Sequence, residues 1–290
     1  MVFSNRKIGY IYIIVGVSLY AFSDAIMQYY MRIYGVNQVT FFRTITRFAP
    51  LLIFAWYKAE NPLKTSRVKE NIFRAVLASL GTYFFMLAYK HTAMTNVIVV
   101  GYSTALFMLP FSVFILKEKL YKRDIFAVCI GFVGVVLSFR PGVEILQFGV
   151  IYAGVGALIA ALNQVIIKRL ASTDSELTII SYHHITLLLI SVIIGFESFI
   201  AMSEKDIYIL SLGGFIGAAA QYCIIKAFKL LSCSNLASAT YVMLIPVTLI
   251  DYVVYGKIPD FFIIGGLLLI IAGNHIAIRR KKTSEIAHRS

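Results

Sequence analysis

Apolar stretches of about 20 residues recur along the chain and are separated by short polar connections. An α-helix needs a stretch of this length to cross the hydrocarbon core of a bilayer. The first stretch carries Asp24 and Gln28 and lacks a small-residue cleavage pattern, so it is expected to stay as a helix. The pattern predicts an all-α polytopic membrane protein with ten transmembrane helices, near residues 8–29, 38–57, 72–90, 95–116, 124–140, 148–168, 177–198, 207–228, 235–255 and 261–278.

The composition supports this class of protein. Of the 290 residues, 59% are hydrophobic and 14% are charged, whereas roughly a quarter of an average soluble domain is charged. An ordinary cytosolic enzyme is therefore excluded. The three cysteines lack the paired spacing of a disulfide framework or a zinc site. No cofactor or metal is expected.

The net charge of +13 is spread over connections and the tail rather than gathered in a basic domain, so no nucleic-acid partner is expected. With the amino terminus in the cytoplasm, 20 of the 27 lysines and arginines fall on the cytoplasmic side and five on the outer side. The positive-inside rule thus predicts that both termini are cytoplasmic. The expected location is a bacterial inner membrane. The basic connections are expected to contact anionic lipid headgroups.

The second half of the chain repeats the first at a displacement of about 140 residues. Phe42-Arg43-Thr44-Ile45-Thr46 aligns with Tyr182-His183-His184-Ile185-Thr186. Because five helices is an odd number, the two copies are predicted to run in opposite directions, related by a pseudo-two-fold axis in the membrane plane. The predicted domains are residues 1–141 and 142–278, followed by a basic cytoplasmic tail at 279–290.

Arg43 and Arg47 stand four residues apart inside the second predicted helix, on one helical face. An arginine near the bilayer centre is costly and normally faces a bundle interior or a wet cavity. Their forked donors suit a carboxylate or a phosphate, and a buried ion pair with Asp24 is the structural alternative. Asp24 has three open roles: receiving a substrate cation, carrying a coupling proton, or pairing with Arg43. Arg47 aligns with Leu187, which makes Arg47 the sharper candidate for substrate recognition.

In the second copy, Asn163 and Gln164 are predicted hydrogen-bond partners in the cavity. His183 aligns with Arg43 and is predicted to be a polar cavity residue, with protonation linked to transport left open. Neighbouring helical residues such as His183 and His184 point about 100° apart, so a paired-histidine metal site is not expected.

Four tyrosines lie within predicted spans and are candidates to stack on a planar or cationic ligand, with helix packing as the alternative. They are Tyr83, Tyr102, Tyr222 and Tyr241. Pro110 and Pro246 each remove one helical hydrogen bond, which predicts either a moving hinge or a static bend.

Each five-helix copy has a proline midway through its fourth helix, in Leu109-Pro110 of the fourth and Ile245-Pro246 of the ninth predicted helix. In these features the chain resembles the EamA-type carriers of the drug/metabolite transporter superfamily. The likeness covers essentially the whole chain. It implies that helices 1 to 4 and 6 to 9 surround a central cavity. A narrower stretch, Phe41-Phe42-Arg43 followed by Leu63-Lys64-Thr65-Ser66-Arg67, is similar to S-adenosylmethionine uptake carriers of intracellular bacteria.

Together these patterns predict a secondary transporter that moves a small zwitterionic metabolite, S-adenosylmethionine or an amino acid, by alternating access. An exporter of amino acids or drugs, a lipid-linked flippase and a non-transport membrane partner are the alternatives. Proton coupling, exchange with a counter-substrate and facilitated diffusion all stay open. An enzyme is not predicted, because the chain has no His-Glu-x-x-His and no Gly-x-Ser-x-Gly motif.

Overall fold

The computed structural model describes residues 2–91, 94–139, 148–194, 199–255, 258 and 261–278. Within these ranges the chain forms helices joined by short connections, and no strand. The helices are α1 (Val2–Tyr34), α2 (Val36–Tyr57), α3 (Val68–His91), α4 (Met94–Tyr102), α5 (Thr104–Leu116), α6 (Lys122–Phe139), α7 (Phe148–Leu170), α8 (Glu176–Ile194), α9 (Glu204–Leu230), α10 (Cys233–Thr240), α11 (Leu244–Tyr255) and α12 (Phe261–Ile278), with a 3-10 turn at Tyr241–Met243.

Among the residues that the structure describes, eight helical segments are long and apolar enough to cross a membrane, and a shorter apolar stretch lies at Phe261–Ile276. Large apolar side chains such as Trp56 and Phe114 point outward from the helices, as expected for a surface in contact with lipid. These features confirm the predicted all-α polytopic membrane protein. The count of ten crossings stays a prediction.

Two of the predicted spans contain an interruption. Between α4 and α5, the Ser103 amide donates to the Val100 carbonyl at 3.0 Å and the Leu106 amide donates to the Ser103 carbonyl at 2.9 Å, which makes a locally tighter turn. Between α10 and α11, the 3-10 turn Tyr241–Met243 precedes Pro246. The displacement that aligns Tyr83 with Tyr222 also aligns Tyr102 with Tyr241, so both interruptions fall at the same position of the repeat.

The helices group into two compact units, and each unit draws on both halves of the sequence. The first consists of the described residues of Met1–Met86 and Ile166–Leu230, and the second of those of Leu87–Val165 and Leu231–Ser290. The predicted division into residues 1–141 and 142–278 is a division of the sequence repeat and stays a prediction. The predicted tail at 279–290 lies outside the described residues.

In the first unit, α9 packs closely against α1. A Cβ atom added to Gly16 of α1 would lie 3.1 Å from the carbonyl oxygen of Ala220, and one added to Gly213 of α9 would lie 3.2 Å from the Met27 side chain. Small residues at such contacts let the helix backbones approach each other. The glycines of α9 therefore fix where the polar side chains of α1 meet this helix.

In the second unit, α6 and α12 meet in the same way. A Cβ atom added to Gly134 would lie 2.6 Å from the carbonyl oxygen of Gly266. Tyr241 packs on the same helix, since a Cβ atom added to Gly131 would collide with its ring and lie 2.8 Å from its Cε2 atom. Glycine in α6 thus makes room both for α12 and for the tyrosine at the interruption.

Candidate functional site

Two arginines of α2 converge on one carboxylate of α1 in the first unit. The Oδ1 atom of Asp24 lies 3.1 Å from Nη2 of Arg43 and 3.4 Å from Nη2 of Arg47. Gly35, with a φ of 77°, forms the tight connection that turns the chain from α1 into α2. Two guanidinium groups and one carboxylate give this Arg-Asp cluster a formal charge of +1.

Arg47 is enclosed by protein groups. Its Nη1 donates to the Tyr20 hydroxyl at 3.0 Å, and its Nη2 donates to the Ser23 hydroxyl at 2.7 Å. The guanidinium carbon lies 4.8 Å from the centroid of the Tyr20 ring, a cation-π geometry. Only 4% of the side chain is exposed, and its Nε is buried with no hydrogen-bond partner among the described residues.

Gly217 of α9 packs directly against the guanidinium of Arg47. A Cβ atom at this position would lie 2.6 Å from the guanidinium carbon and would collide with Nε. Ser23 links the cluster to the same helix, since its hydroxyl donates to the Gly213 carbonyl at 2.8 Å. Residues of α1 and α9 therefore together enclose the Arg47 side chain.

Arg43 and Asp24 form the open side of the cluster. Their side chains are 23% and 30% exposed, respectively. A cation and an anion thus stand side by side where a ligand can reach them. Such a pair can accept a carboxylate at Arg43 and an ammonium or sulfonium group at Asp24, because charge-assisted hydrogen bonds to arginine are strong and directional.

The two histidines of α8 lie in the same unit. His184 is buried, stacks on Phe48 of α2 with ring centroids 5.7 Å apart, and places Nδ1 2.9 Å from the Ile180 carbonyl oxygen. Nδ1 of His183 is buried with no hydrogen-bond partner in the part of the chain that the structure describes. No group of three potential metal ligands occurs among the described residues.

Arg74 is a second buried arginine of the first unit, in addition to Arg47. The positive-inside count placed it on the cytoplasmic side as a topology signal, but its side chain is only 2% exposed within α3. Its Nη2 donates to the Ile179 carbonyl of α8 at 2.7 Å. Arg74 therefore adds to the positive electrostatic character of this unit.

The predicted tyrosines of the first unit have different surroundings. Tyr222 of α9 meets Phe54 edge to face with ring centroids 5.6 Å apart, and the Lys226 ammonium lies 5.5 Å from its ring centroid. Tyr83 lies half-buried on α3. The face of Tyr222 thus already holds a cation that belongs to the protein.

The remaining predicted site residues belong to the second unit. The rings of Tyr102 and Tyr241 are in contact, with centroids 5.9 Å apart, and Tyr241 is fully buried. Asn163 and Gln164 are half-buried on α7. The side-chain oxygen of Asn163 is buried with no hydrogen-bond partner within the described ranges.

The structure therefore joins Asp24, Arg43 and Arg47 in one cluster, and the convergence of all the predicted residues on one cavity stays a prediction. Two members of the cluster, Tyr20 and Ser23, were missed from the sequence. Tyr20 stands four residues before Asp24, which puts both on one face of α1. That spacing was the available signal.

Comparison with known proteins gives the class of this chain. A family model described as "EamA-like transporter family" matches residues 7–140 and 147–278. The chain belongs to this family, and it is a multi-pass membrane transporter rather than an enzyme. The two matched segments correspond to the two copies of the sequence repeat.

Several relatives carry more specific names. An "S-adenosylmethionine uptake transporter" of Rickettsia felis is 26% identical over 87% of this chain and 86% of the relative. A protein of the same name from Rickettsia prowazekii is 26% identical over 85% and 84%. Human "Solute carrier family 35 member G1" is 25% identical over 72% of this chain and 62% of the relative. A solved structure titled "Crystal structure of protein" has the same fold, with a TM-score of 0.77, 18% identity and coverage of 97% and 99%.

Proposed function

We propose that this protein is a secondary transporter that carries S-adenosylmethionine, or a closely similar zwitterion, across a bacterial inner membrane by alternating access. One observation carries the proposal: a partly exposed Arg43 stands beside a partly exposed Asp24, 3.1 Å apart, within a membrane domain. The names of the rickettsial relatives support the substrate class.

Ion-pair exchange explains how the cluster would bind such a ligand. The substrate carboxylate replaces Asp24 as the partner of Arg43, and the released carboxylate of Asp24 receives the ammonium or sulfonium group. Arg47 stays bound to Asp24 and keeps it in place, because its guanidinium is fixed by Tyr20 and Ser23. Each guanidinium of the occupied site keeps an anionic partner, which matters because unpaired charges are costly at this depth.

Alternating access is supported by the repeat. Both copies have a helix interruption at the same position, between α4 and α5 and at the 3-10 turn before α11. Paired interruptions in inverted repeats are typical of transporters whose two halves exchange conformations. In this proposal Pro110 and Pro246 bend these helices, and both termini face the cytoplasm.

The test is uptake into proteoliposomes with labelled S-adenosylmethionine, a panel of amino acids, and nucleotide sugars, each with and without a pH gradient. Saturable S-adenosylmethionine uptake is expected. Arg43→Gln is expected to lower uptake at subsaturating substrate at least about tenfold, the effect of one lost charge-assisted hydrogen bond. Arg169→Gln is the matched control, since Arg169 is exposed and pairs with Glu70 at 3.6 Å.

Three outcomes would count against the proposal. Normal uptake by Arg43→Gln removes this arginine from the site. Saturable uptake of an amino acid but not of S-adenosylmethionine assigns a different substrate class. Competition by decarboxylated S-adenosylmethionine as strong as that by the intact molecule shows that the carboxylate is not recognised. A pH gradient that changes uptake several-fold would identify proton coupling.

A further inference from the structure

We propose that the first unit binds one phospholipid with an ethanolamine headgroup, at the end of α3 and α8 that the positive-inside rule places on the cytoplasmic side. The headgroup lies in a polar cavity and an acyl chain lies in an apolar groove between the two helices. Neither is lined by a member of the Arg-Asp cluster. The lipid site is therefore separate from the proposed substrate site and does not depend on which substrate the protein carries.

The polar cavity has a volume of about 360 Å³ and lies where the α2–α3 connection meets the start of α8. It is lined by Ala59, Glu60, Asn61, Lys64, Ser175 and Thr178. The Ser175 hydroxyl accepts a hydrogen bond from the Thr178 amide at 3.1 Å, which caps the amino-terminal end of α8. The helix dipole favours an anion at this end. A lysine and hydroxyl groups at the same place suit a phosphate.

The charges that line this cavity are balanced. Lys64 supplies one cation and Glu60 supplies one anion. Neighbouring acids already have partners in the protein, since Glu176 pairs with Lys229 at 3.1 Å and Asp174 accepts a hydrogen bond from an α3 asparagine at 2.6 Å. A headgroup that carries both a phosphate and an ammonium therefore matches the cavity, with the phosphate at Lys64 and the ammonium at Glu60.

The apolar groove has a volume of about 490 Å³. Ile72 and Val76, one turn apart on α3, form one wall, and Tyr182, Ile185 and Leu189 line it from one face of α8. The groove extends about 10 Å along α8 between the first and the last of these α8 residues. α3 and α8 do not pack closely against each other along the described residues. Because neighbouring side chains leave this space open inside a bilayer, an acyl chain fits it.

The cavity and the groove adjoin each other. Leu63 lines the groove and the next residue, Lys64, lines the cavity, while on α8 Thr178 lines the cavity and Tyr182, one turn later, lines the groove. The Tyr182 hydroxyl donates to the Leu63 carbonyl at 3.3 Å, and the Asn61 side chain accepts from the Leu63 amide at 2.9 Å. The boundary between the polar and apolar parts is thus held in place, as a single amphipathic ligand requires.

The headgroup is tested by native mass spectrometry of the detergent-purified protein, titrated with phosphatidylethanolamine, phosphatidylglycerol or phosphatidylcholine of the same acyl chains. One phosphatidylethanolamine is expected to bind with a several-fold lower Kd than the other two lipids. Lys64→Gln should weaken its binding about fivefold, because the phosphate loses its cation. Glu60→Gln should remove the preference over phosphatidylglycerol. Lys69→Gln, an exposed lysine that lines neither space, is the control and should bind like the wild type.

The groove is tested by filling it with a larger side chain. Leu189 is 60% exposed, and in Leu189→Trp the indole would occupy the space of the acyl chain. Binding of all three lipids should weaken about tenfold, since burial of the chain supplies much of the affinity. Leu212→Trp is the matched control, because Leu212 is an exposed leucine of α9 outside the groove. Free phosphoethanolamine, which has the headgroup but no chain, should not compete.

Five results would overturn this proposal. Equal binding of the three lipids, or unchanged binding by Lys64→Gln, would reduce the groove to ordinary contact with surrounding lipid. Unchanged binding by Leu189→Trp would place the lipid elsewhere. Competition by free phosphoethanolamine would assign the cavity to a soluble ligand, and a dimer that excludes the lipid would assign the groove to a second copy of the chain.

Discussion

Arg43 and Arg47 bind the same carboxylate oxygen but differ in how much of each side chain a ligand can reach. Arg47 is enclosed by Tyr20, Ser23 and Asp24, whereas Arg43 lies at the open side of the cluster. The repeat pointed to Arg47 as the recognition residue, because its counterpart is apolar. We propose instead that Arg47 positions Asp24 and that Arg43 meets the substrate. Both assignments stay predictions.

The two arginines are expected to differ in their contribution to stability. Arg47→Gln should lower the free energy of unfolding by about 3 kcal/mol, because it removes one partner of a buried ion pair and leaves Asp24 and Ser23 poorly satisfied. Arg43→Gln should lower it by less than about 1 kcal/mol, the range of a partly exposed pair. The free energy of unfolding in detergent, or the melting temperature as its proxy, measures the difference. Equal destabilisation by the two variants would contradict this division of roles.

Gly217 is expected to control substrate affinity although it is not itself a polar group. In Gly217→Ala the new Cβ would collide with the Arg47 guanidinium, which must shift and take Asp24 with it. We expect the half-saturation concentration to rise several-fold, with a loss of stability of about 1–3 kcal/mol from overpacking. Gly154→Ala is the matched control, because an added Cβ there meets nothing within 4 Å. That variant should be neutral or slightly more stable, since alanine favours a helix interior. Unchanged affinity in Gly217→Ala would show that Arg47 does not set the site geometry.

At the scale of single residues, the sequence predicted those features of the Arg-Asp cluster that follow from helical spacing. The four-residue spacing placed Arg43 and Arg47 on one face, and their pairing with Asp24 was among the alternatives considered. The enclosure of Arg47 was not predicted, since it depends on the rotation of α1 and on the approach of α9.

At the scale of helices, hydropathy predicted the positions of the spans but not their interruptions. A lipid-facing helix must be apolar over its whole length, so its place can be read from composition alone. An interruption depends on a few local bonds. α5 continues through Pro110, and α2 continues through Pro50. The 3-10 turn Tyr241–Met243 is different. In a regular helix the Val242 carbonyl would accept a hydrogen bond from the amide four residues later, but that residue is Pro246, which has no amide hydrogen.

Pro246→Ala is expected to convert the 3-10 turn into regular helix. The new amide can donate to the Val242 carbonyl, a gain of up to about 3 kcal/mol for the helix. Hydrogen exchange of residues 241–246 should slow, and turnover should fall if the interruption acts as a hinge. Pro50→Ala, in the uninterrupted α2, is the control and should leave turnover unchanged. Slower exchange with normal turnover would show that the bend is static.

At the scale of the whole molecule, hydrogen bonds within the first unit link connections between helices that the repeat places on the same side of the membrane. The Tyr34 hydroxyl at the end of α1 donates to Asp206 at the start of α9, and the Gln38 amide donates to the Ile200 carbonyl at 2.7 Å. At the opposite helix ends, Asn71 donates to Asp174 at 2.6 Å. Each contact joins a connection of the first copy to one of the second. The sequence could predict the two copies but not that each compact unit contains helices from both, because that depends on contacts between distant segments.

These contacts lead to a prediction about orientation. The positive-inside rule places the α2–α3 connection in the cytoplasm and the α8–α9 connection outside. In a variant lacking Cys129, Cys223 and Cys233, Ala201→Cys is therefore expected to react with a membrane-impermeant maleimide in intact spheroplasts. Ser66→Cys should react only after lysis; both parent side chains are exposed, so accessibility to solvent does not bias the comparison. The cysteine-free parent controls for background labelling. The reverse labelling pattern would place the amino terminus outside. Labelling of both positions from the same side would contradict the inverted repeat, which requires the two connections to lie on opposite sides of the membrane.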